Sequence, residues 1–362
     1  RYLVRANRLL IHRTPPMTCR SPSTLPESSN PSRRAGLDGA LAPLTIVCIV
    51  DSLEAPKAMA PEYVRRWTEV DKAWLAGLLD GEGWIGVTRT AAGVRLGRYR
   101  YRAGIVVSQT DEHLIEYLHA LVGHAGRRFV VPHKPPNKPA YELRIGTKDD
   151  IVAILEAILP LLITKADQAL DVLAFRQLMD NPEIDEHDRD LHAADLFEAL
   201  REAKKAIPYG TPRPVGPEDD PADAAWLAAL VDGEGHIGIE RQKNSMGRTT
   251  HLLVLSIVNT DERLIRRIEE VARHGDVLVR AFNIPNRKPL WRWRATCDNA
   301  AKVLERIGPY LIRKKPHLPI ARRFDRTVHR GDRRWSPVLE HELRIREECF
   351  EAFRQLNSNG KR

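Results

Sequence analysis

The chain has 362 residues and 43% apolar side chains, which suits a globular protein of about two domains. No apolar run approaches the ~20 residues that span a membrane, and the four scattered cysteines form no CxxC pair, so neither a disulfide framework nor a cysteine zinc site is expected. Residues 180–223 carry a net charge of −8. Because the net charge of the whole chain is +9, the rest of the chain carries +17. This charge favours a polyanionic partner such as nucleic acid.

Residues 1–58 differ in composition from the rest of the chain. They are rich in Arg, Ser and Pro, and Glu27 is the single acid among the first 36 residues. Two interpretations fit: an Arg-rich organelle transit peptide, or sequence upstream of a true start at Met59. On either interpretation we expect this segment to be disordered and to take no part in the folded domains.

The body of the chain contains an internal repeat. Residues 74–87 (WLAGLLDGEGWIGV) match residues 226–239 (WLAALVDGEGHIGI). Four matching blocks in the same order, at nearly constant spacing, indicate a duplicated domain. The other three blocks pair residues 108–115 with 258–265, 139–144 with 289–294, and 160–165 with 309–314.

Each copy is predicted to have the element order αββαββα, which makes the fold class α+β. Thr68 is a candidate N-terminal cap for the first helix, and Asp220 with Pro221 opens the equivalent helix of the second copy. The elements predicted for the first copy are helix 71–79, strands 84–90 and 98–108, helix 111–122, strands 127–132 and 141–145, and a helix from 148 towards 162 that continues after a break at Pro160.

An acidic segment joins the copies. It is predicted to contain a helix over residues 189–206 and a Pro- and Gly-rich linker over 208–217, and a last helix is predicted over 337–356. The predicted domains are residues 1–58 as an N-terminal extension, 59–179 as the first repeat, 180–222 as the acidic helix and linker, 223–325 as the second repeat, and 326–362 as a C-terminal helical extension.

Each motif also fits the glycine pattern of dinucleotide-binding folds, as in Gly81-x-Gly83-x-x-Gly86. In those folds the glycines follow a strand and open a helix, whose N–H groups face the pyrophosphate. Here the glycines follow a predicted helix and precede a strand, so a phosphate would meet carbonyl groups. We therefore expect no nucleotide cofactor.

The helix of each motif is apolar on nearly all sides and must be buried. Small residues such as Gly77 would let the two motif helices pack closely, which would place Glu82 and Glu234 side by side at two helix C-termini. Like charge and the helix dipoles disfavour that placement, and a divalent cation such as Mg²⁺ would offset the repulsion. Paired carboxylates with Mg²⁺ suit two-metal phosphodiester hydrolysis. The alternative, a merely polar helix end, explains two copies in one register less well.

Residues 75–83 and 227–235 resemble the two signature motifs of the single-chain LAGLIDADG homing endonucleases. The resemblance covers about residues 67–324. Glu replaces the second Asp of each motif, which keeps the carboxylate, and Ala229 replaces a Gly. The resemblance implies two pseudo-symmetric repeats, motif helices packed at the centre, and saddle-shaped antiparallel sheets that bind DNA.

The resemblance also implies the roles of site residues. Glu82 and Glu234 would bind the catalytic metals, helped by the carbonyl groups of Gly81 and Gly233. A polar residue at the end of the second strand and a Lys after a Pro-x-Leu segment would order water around the scissile phosphates. These positions are Gln109, Asn259, Lys165 and Lys314. A Lys at a helix end can also be merely solvated, and that alternative stays open. We interpret Asp80 and Asp232 as helix-end structure rather than as metal ligands.

Arg side chains alternate with aromatic residues along two predicted strands, at 98–102 and 291–294. Alternate residues of a strand share a face, and a sheet face lined with Arg suits the DNA major groove. An ordinary solvated face is the alternative, and it explains matched runs in both copies less well. The candidate DNA-binding residues are Arg89, Arg98, Arg100, Arg102, Lys138, Arg144, Arg241, Arg287, Lys288, Arg292 and Arg294.

These features predict a monomeric, Mg²⁺-dependent endonuclease, with Mn²⁺ as a substitute metal, that cuts both strands of a long, asymmetric double-stranded DNA target. The alternative is a cleavage-inactive intron maturase, or a DNA- or RNA-binding regulator, on the same scaffold. The presence of both motif acids favours the nuclease. We expect an intron-borne or free-standing protein that is associated with the nucleoid in the cytoplasm, or in an organelle if residues 1–58 are a transit peptide.

Overall fold

A computed structural model of the chain describes residues 60–91, 99–133, 138–203, 213–243, 249–282, 288–330 and 337–358. The predictions for residues 1–58, for Arg98 and for Arg287 therefore lie outside the described residues. Among the described helices, none combines the length and the apolar character needed to cross a membrane.

The two repeats have the same order of elements, and the predicted α+β class is confirmed. The first repeat follows a short helix, α1 (Glu62–Arg65), and contains α2 (Glu69–Glu82), β1 (Gly83–Ala91), β2 (Tyr99–Gln109), α3 (Glu112–Leu121), β3 (Arg127–Val131), β4 (Ala140–Ile145), α4 (Lys148–Ile158), α5 (Ala166–Asp180) and α6 (Glu186–Ala203). The second repeat contains α7 (Pro221–Glu234), β5 (His236–Lys243), β6 (Thr249–Asn259), α8 (Glu262–Ala272), β7 (Asp276–Arg280), β8 (Leu290–Thr296), α9 (Cys297–Ile307), α10 (His317–Asp325) and α11 (Glu340–Ser358).

Pro160 shortens the last helix that the sequence predicts for the first repeat. The α-helix α4 ends at Ile158, and residues Leu159–Leu161 form a single 3₁₀ turn. Proline lacks the N–H group that a continuing α-helix would need. The break that the sequence predicts at Pro160 is present, but the chain continues as a 3₁₀ turn rather than as α-helix, and a separate helix α5 follows. The second repeat makes the same turn at Gly308–Tyr310.

Local capping begins the two motif helices where the sequence indicates. Thr68 accepts a bond from the Asp71 N–H, and the Asp71 side chain accepts one from the Thr68 N–H, which completes a capping box. In the second repeat the Asp220 side chain caps the Ala222 N–H, and Pro221 occupies the first helical position.

The central contact of the molecule is the packing of α2 against α7. Both helices are buried along most of their length, as their apolar sequences predict. A Cβ atom on Gly77 would overlap the carbonyl oxygen of Trp226, so the two helices touch backbone to backbone. This close approach aligns the C-terminal ends of α2 and α7, and with them the two motif acids.

Each repeat has one four-stranded antiparallel sheet, with strand order β1-β2-β4-β3 in the first and β5-β6-β8-β7 in the second. In the first sheet Ile85 pairs with Ile105, and both side chains are buried beneath the helices. Thr88 and Arg102, a pair of the opposite parity, are exposed. Because side chains alternate along a strand, the register assigns each strand residue to a helix face or to an open face.

Helices α6 and α11 occupy equivalent places at the ends of the two repeats. Helix α6 packs on α5 and places Phe197 against Tyr101, with ring centroids 5.4 Å apart. Helix α11 packs on α10 and places Phe350 below the Arg241 guanidinium, 3.9 Å from the ring centroid. Each repeat thus ends in a helix that lies beyond its matching sequence blocks and covers the outer half of its first hairpin.

Candidate active site and nucleic-acid interface

The two motif acids lie next to each other at the ends of α2 and α7. A Cβ atom on Gly81 would be 3.7 Å from both Cγ and Oε1 of Glu234. A Cβ atom on Gly233 would be 2.9 Å from Cγ and 3.6 Å from Oε1 of Glu82. The acid of each repeat therefore packs against the glycine of the other. A side chain at position 233 would overlap Glu82, whereas a Cβ at position 81 would be in ordinary contact with Glu234.

The surroundings of this acid pair disfavour two negative charges. Burial raises the pKa of Glu82 and of Glu234, and the charge of Glu82 raises the pKa of Glu234 further. A side-chain amide opposes the rise at each acid. Gln109 hydrogen-bonds to Glu82, and Nδ2 of Asn259 donates to Oε2 of Glu234 at 3.0 Å. The strand ends of β2 and β6 thus orient the two carboxylates.

Asp80, two residues before Glu82, holds the loop 162–165 against the end of α2. Its carboxylate accepts the backbone N–H groups of Ile163 at 2.9 Å, Thr164 at 2.8 Å and Lys165 at 3.1 Å. The Thr164 hydroxyl adds a bond at 2.9 Å. Burial raises the pKa of Asp80, and these bonds oppose the rise. Asp80 is therefore helix-end structure, as the sequence indicates, and it places Lys165 beside the acid pair.

Asp232 holds the loop 311–314 in the same way, with N–H bonds from Ile312 at 2.7 Å and Lys314 at 2.8 Å. The Lys314 side chain is 6% exposed, and its ammonium donates to the carbonyl oxygens of Val231 and Asp232. Burial lowers its pKa to about 7. Lys314 therefore caps the carbonyl end of α7, so the alternative of a solvated lysine does not hold for this residue.

Each acid interacts with the basic loop of the other repeat. The charge of Lys165 lowers the pKa of Glu234, and the charges of Arg313 and Lys314 lower that of Glu82, against the larger effect of burial. Arg313 is a site residue that the sequence patterns do not single out. The sequence distinguishes Arg313 in one way: it occupies the position before Lys314 that Thr164 occupies before Lys165 in the first repeat.

Several predicted DNA-binding residues share the open faces of the two sheets. In the first sheet Arg100 and Arg102 are exposed and pair with Thr90 and Thr88. In the second sheet Arg294 donates to Glu240 at 2.7 Å. The predicted residues on the open faces are Arg100, Arg102, Arg144, Arg292 and Arg294. The strand register also places on the open faces two Arg residues that the sequence patterns do not single out. Arg127 pairs with Arg144, and Arg280 pairs with Leu290.

Arg89 and Arg241, which the sequence analysis lists as DNA-binding candidates, lie on the opposite, helix faces of the two sheets. Arg89 pairs with Tyr101 in the sheet and donates to Glu198 of α6 at 3.1 Å. Arg241 donates to Glu347 of α11 at 2.8 Å. Their parity is that of the buried core residues, so these two Arg side chains hold the terminal helices to the hairpins. Lys138 and Lys288 are exposed just before β4 and β8.

No protein-family model and no curated protein matches this sequence. Solved structures do match the fold. The meganuclease I-SmaMI bound to uncleaveable DNA aligns with a TM-score of 0.56 at 17% identity, covering 79% of this chain and 99% of that one. The I-LtrWI LAGLIDADG homing endonuclease bound to target DNA aligns with a TM-score of 0.55 at 18% identity, covering 77% of this chain and 97% of that one. The LAGLIDADG meganuclease I-AabMI bound to uncleaved DNA aligns with a TM-score of 0.56 at 17% identity, covering 77% of this chain and 98% of that one.

The chain has the LAGLIDADG fold. Four DNA-bound proteins with this fold, including I-GzeII at a TM-score of 0.51, align over most of the chain. The predicted two-repeat architecture with motif helices at its centre is thereby confirmed. The likeness extends to the backbone alone, because the identities lie between 13% and 18%.

The candidate metal donors at the centre of this fold are oxygen atoms from both repeats. Within the described ranges, no group of three or more His, Cys, Asp or Glu side chains could hold a metal ion. Glu82 and Glu234 supply two desolvated carboxylates, and the adjacent carbonyl groups of Gly81 and Gly233 are further oxygen donors. Such a set fits a hard cation that keeps several waters and takes substrate phosphate oxygens, as Mg²⁺ does. It does not fit a structural zinc site, which needs four protein ligands of Cys or His type.

Proposed function

We propose that the chain is a site-specific DNA endonuclease that cuts both strands of a long, asymmetric double-stranded target, as a monomer with Mg²⁺. The observation that carries this proposal is the pair of half-buried acids, Glu82 and Glu234, at the centre of a fold with two Arg-bearing sheets. Structures with the same fold are described as homing endonucleases bound to DNA, in one case with calcium ions and in another with cleaved DNA. These descriptions support a nuclease over a regulator that binds without cutting.

The acid pair would hold the metal together with the carbonyl groups of Gly81 and Gly233. When bound, the metal supplies an activated water and stabilises the leaving oxygen. Gln109 and Asn259 fix the direction of the two carboxylates through their amide donors. Because the acids are half-buried, the charges that face them act more strongly than they would on the open surface.

The loops 162–165 and 311–314 bring basic side chains to the place where negative charge develops on a phosphate. Asp80 and Asp232 fix these loops through backbone N–H bonds, so the cations are in position before DNA arrives. Preorganised charge of this kind lowers a transition-state barrier because no reorganisation is needed during the reaction. The role of the two Asp residues is thus to position the loops, without contact to the DNA.

The open faces would align the duplex across both sites. Arg side chains on a sheet contact phosphates and read guanine edges in the major groove. The two faces differ in sequence at nearly every position of the outer strands, as at Arg127 and its counterpart Asp276. A target read by two different faces lacks two-fold symmetry, which is the reason to propose an asymmetric site.

Strand-resolved cleavage tests the proposal. A duplex target is first selected from a randomised library with the purified chain and Mg²⁺, and then cut under single-turnover conditions. Glu82→Gln and Glu234→Gln should each slow the cleavage of one strand, and a different one, by about 10³-fold. Glu156→Gln, on the exposed side of α4, is the matched control and should cut both strands normally.

Three outcomes would count against the endonuclease. The unmodified chain could bind selected DNA and cut neither strand with Mg²⁺ or Mn²⁺, which would favour the cleavage-inactive maturase or regulator. Loss of DNA binding by Glu82→Gln in proportion to its loss of cleavage would show a structural acid. Equal slowing of both strands by either single variant would contradict one site per strand.

A further inference from the structure

The loops that face the acid pair differ at one position that the repeat makes directly comparable. Thr164 precedes Lys165 in the first repeat, and Arg313 precedes Lys314 in the second. The Thr164 hydroxyl donates to the side chain and to the backbone carbonyl of Asp80, at 2.9 and 3.2 Å. Thr164 therefore belongs to the group of hydrogen bonds by which Asp80 holds the loop 162–165, which we call the clamp of the first repeat; Asp232 forms the clamp of the second. Thr164 brings no charge to the site.

Lys314 is committed to the backbone of its own repeat. Its ammonium donates to the carbonyl oxygens of Val231 and Asp232, in the last turn of α7. The side chain is 6% exposed. To contact a phosphate, the ammonium would have to leave two carbonyl groups at a helix C-terminus, where a cation is stabilised by the helix dipole.

Arg313 lies beside it with its guanidinium at the mouth of the site. Nη1 donates to the carbonyl oxygen of Asp232 at 3.1 Å and approaches that of Gly233 at 3.5 Å. Nε is 3.8 Å from Oδ2 of Asp111, beyond hydrogen-bond distance. The side chain keeps 30% of its surface exposed. The Gly233 carbonyl that it approaches belongs to the residue whose Cβ would lie 2.9 Å from Cγ of Glu82, so the guanidinium lies on the Glu82 side of the acid pair.

Two Arg side chains on the open faces differ from Arg313 in this respect. Arg294 is bonded to the Glu240 carboxylate at 2.7 Å, and Arg144 to that of Glu142 at 2.8 Å. In the described part of the chain, the guanidinium of Arg313 makes hydrogen bonds to carbonyl oxygens and to no carboxylate. A planar guanidinium with remaining N–H groups matches the oxygen pair of a phosphodiester and binds it bidentately.

We infer that Arg313, rather than Lys314, is the cation that contacts the scissile phosphate on the Glu82 side. The inference rests on the proposed endonuclease function. Its consequence is that the two cleavage centres are chemically unequal. The Glu82 centre uses a guanidinium from the loop of the second repeat, and the Glu234 centre uses the Lys165 ammonium from the loop of the first.

The test follows each strand separately on the selected duplex, with the strands assigned by Glu82→Gln and Glu234→Gln. Arg313→Ala should slow the strand that depends on Glu82 by about 10²-fold and leave the other strand unchanged. Added guanidinium ion, at concentrations that do not unfold the chain, should restore part of the rate on that strand alone. Arg313→Lys should lie between the unmodified chain and Arg313→Ala. Arg322→Ala, an exposed Arg of α10, controls for the loss of one positive charge.

Lys314→Met separates the two basic residues. Because the ammonium caps α7, this variant should lower the thermal unfolding midpoint more than Arg313→Ala does, and Arg313→Ala should weaken DNA binding by no more than the loss of one phosphate contact. Normal cleavage of both strands by Arg313→Ala would overturn the inference. So would equal slowing of both strands, or rescue of Lys314→Met by ammonium on the Glu82 strand. If the unmodified chain cuts neither strand, the endonuclease proposal fails, and the inference fails with it.

Discussion

The two repeats share a backbone plan but differ in how their polar groups are used. The features held in common are the acid at the end of the motif helix, the Asp two residues before it, and the loop that this Asp holds. The features that differ lie on the open faces and in the side-chain hydrogen bonds around the clamps. Backbone N–H groups do not depend on the side chain, so a clamp built on them tolerates sequence divergence around it.

The clamps themselves show the clearest difference. Asp80 accepts a hydroxyl bond from Thr164 and an indole bond from Trp226 at 3.3 Å, in addition to backbone N–H bonds. The equivalent indole, that of Trp74, has its Nε1 atom buried without a partner within the described residues. The first clamp therefore joins the two repeats, because Trp226 belongs to α7 and Asp80 to α2, whereas the second clamp is internal to its repeat.

Replacing the Asp residue of either clamp should give the largest reductions in the free energy of unfolding. Asp80→Asn should lower the free energy of unfolding by about 3 kcal/mol, because an amide nitrogen would meet buried N–H donors. Asp232→Asn should cost less, since it breaks no bond between repeats. Urea unfolding of both variants beside the unmodified chain measures the difference. Equal reductions would mean that the indole bond and the hydroxyl bond contribute nothing to the contact between repeats.

One added methyl group should disturb the packing of α2 against α7. Gly77→Ala places a methyl group on the Trp226 carbonyl and should cost about 2 kcal/mol of unfolding free energy. The equivalent residue, Ala229, already carries that methyl group in the second repeat. The matched control is Gly146→Ala, whose Cβ would meet nothing within 4 Å and should leave the stability unchanged or slightly higher. Thermal unfolding of the two variants decides the point, and equal midpoints would contradict the backbone contact between α2 and α7.

The open faces should differ in how much their Arg side chains contribute to DNA binding. Removing one bond between the protein and a DNA phosphate reduces the slope of log K against log salt by about 1. Arg102→Gln should show this reduction in full. Arg294→Gln should show a smaller one, because its guanidinium is already bonded to Glu240.

The helix-face arginine supplies the control for this series. Arg89→Gln should leave the salt slope unchanged, since its side chain faces Glu198 of α6 and not the open face. Binding of the selected duplex at several salt concentrations gives the slope for each variant. A fall for Arg89→Gln equal to that for Arg102→Gln would mean that the sheet presents its other face to DNA.

The duplication, the helix caps and the position of the acids can be read from the sequence alone. The caps are local: Thr68 and Asp71 cap the first motif helix through neighbouring atoms, and the helix ends at Glu82 with Gly83 as its C-cap. An apolar helix with the small residue Gly77, present in two copies, can be buried by packing against its own copy. The acid pair follows from that packing, so it could be predicted from the sequence.

Which basic side chains remain available for a ligand depends on the tertiary fold. Strand parity assigns Arg89 and Arg241 to the helix faces, but it does not say which helix covers them. Helices α6 and α11, about 100 residues further along the chain, bring Glu198 and Glu347 to these two Arg. The Lys314 ammonium is bonded to carbonyl groups at the end of α7, some 80 residues earlier in the chain, and so is not available for a ligand. A side chain's partner depends on which distant backbone folds beside it, and a strand pattern contains no information about that partner.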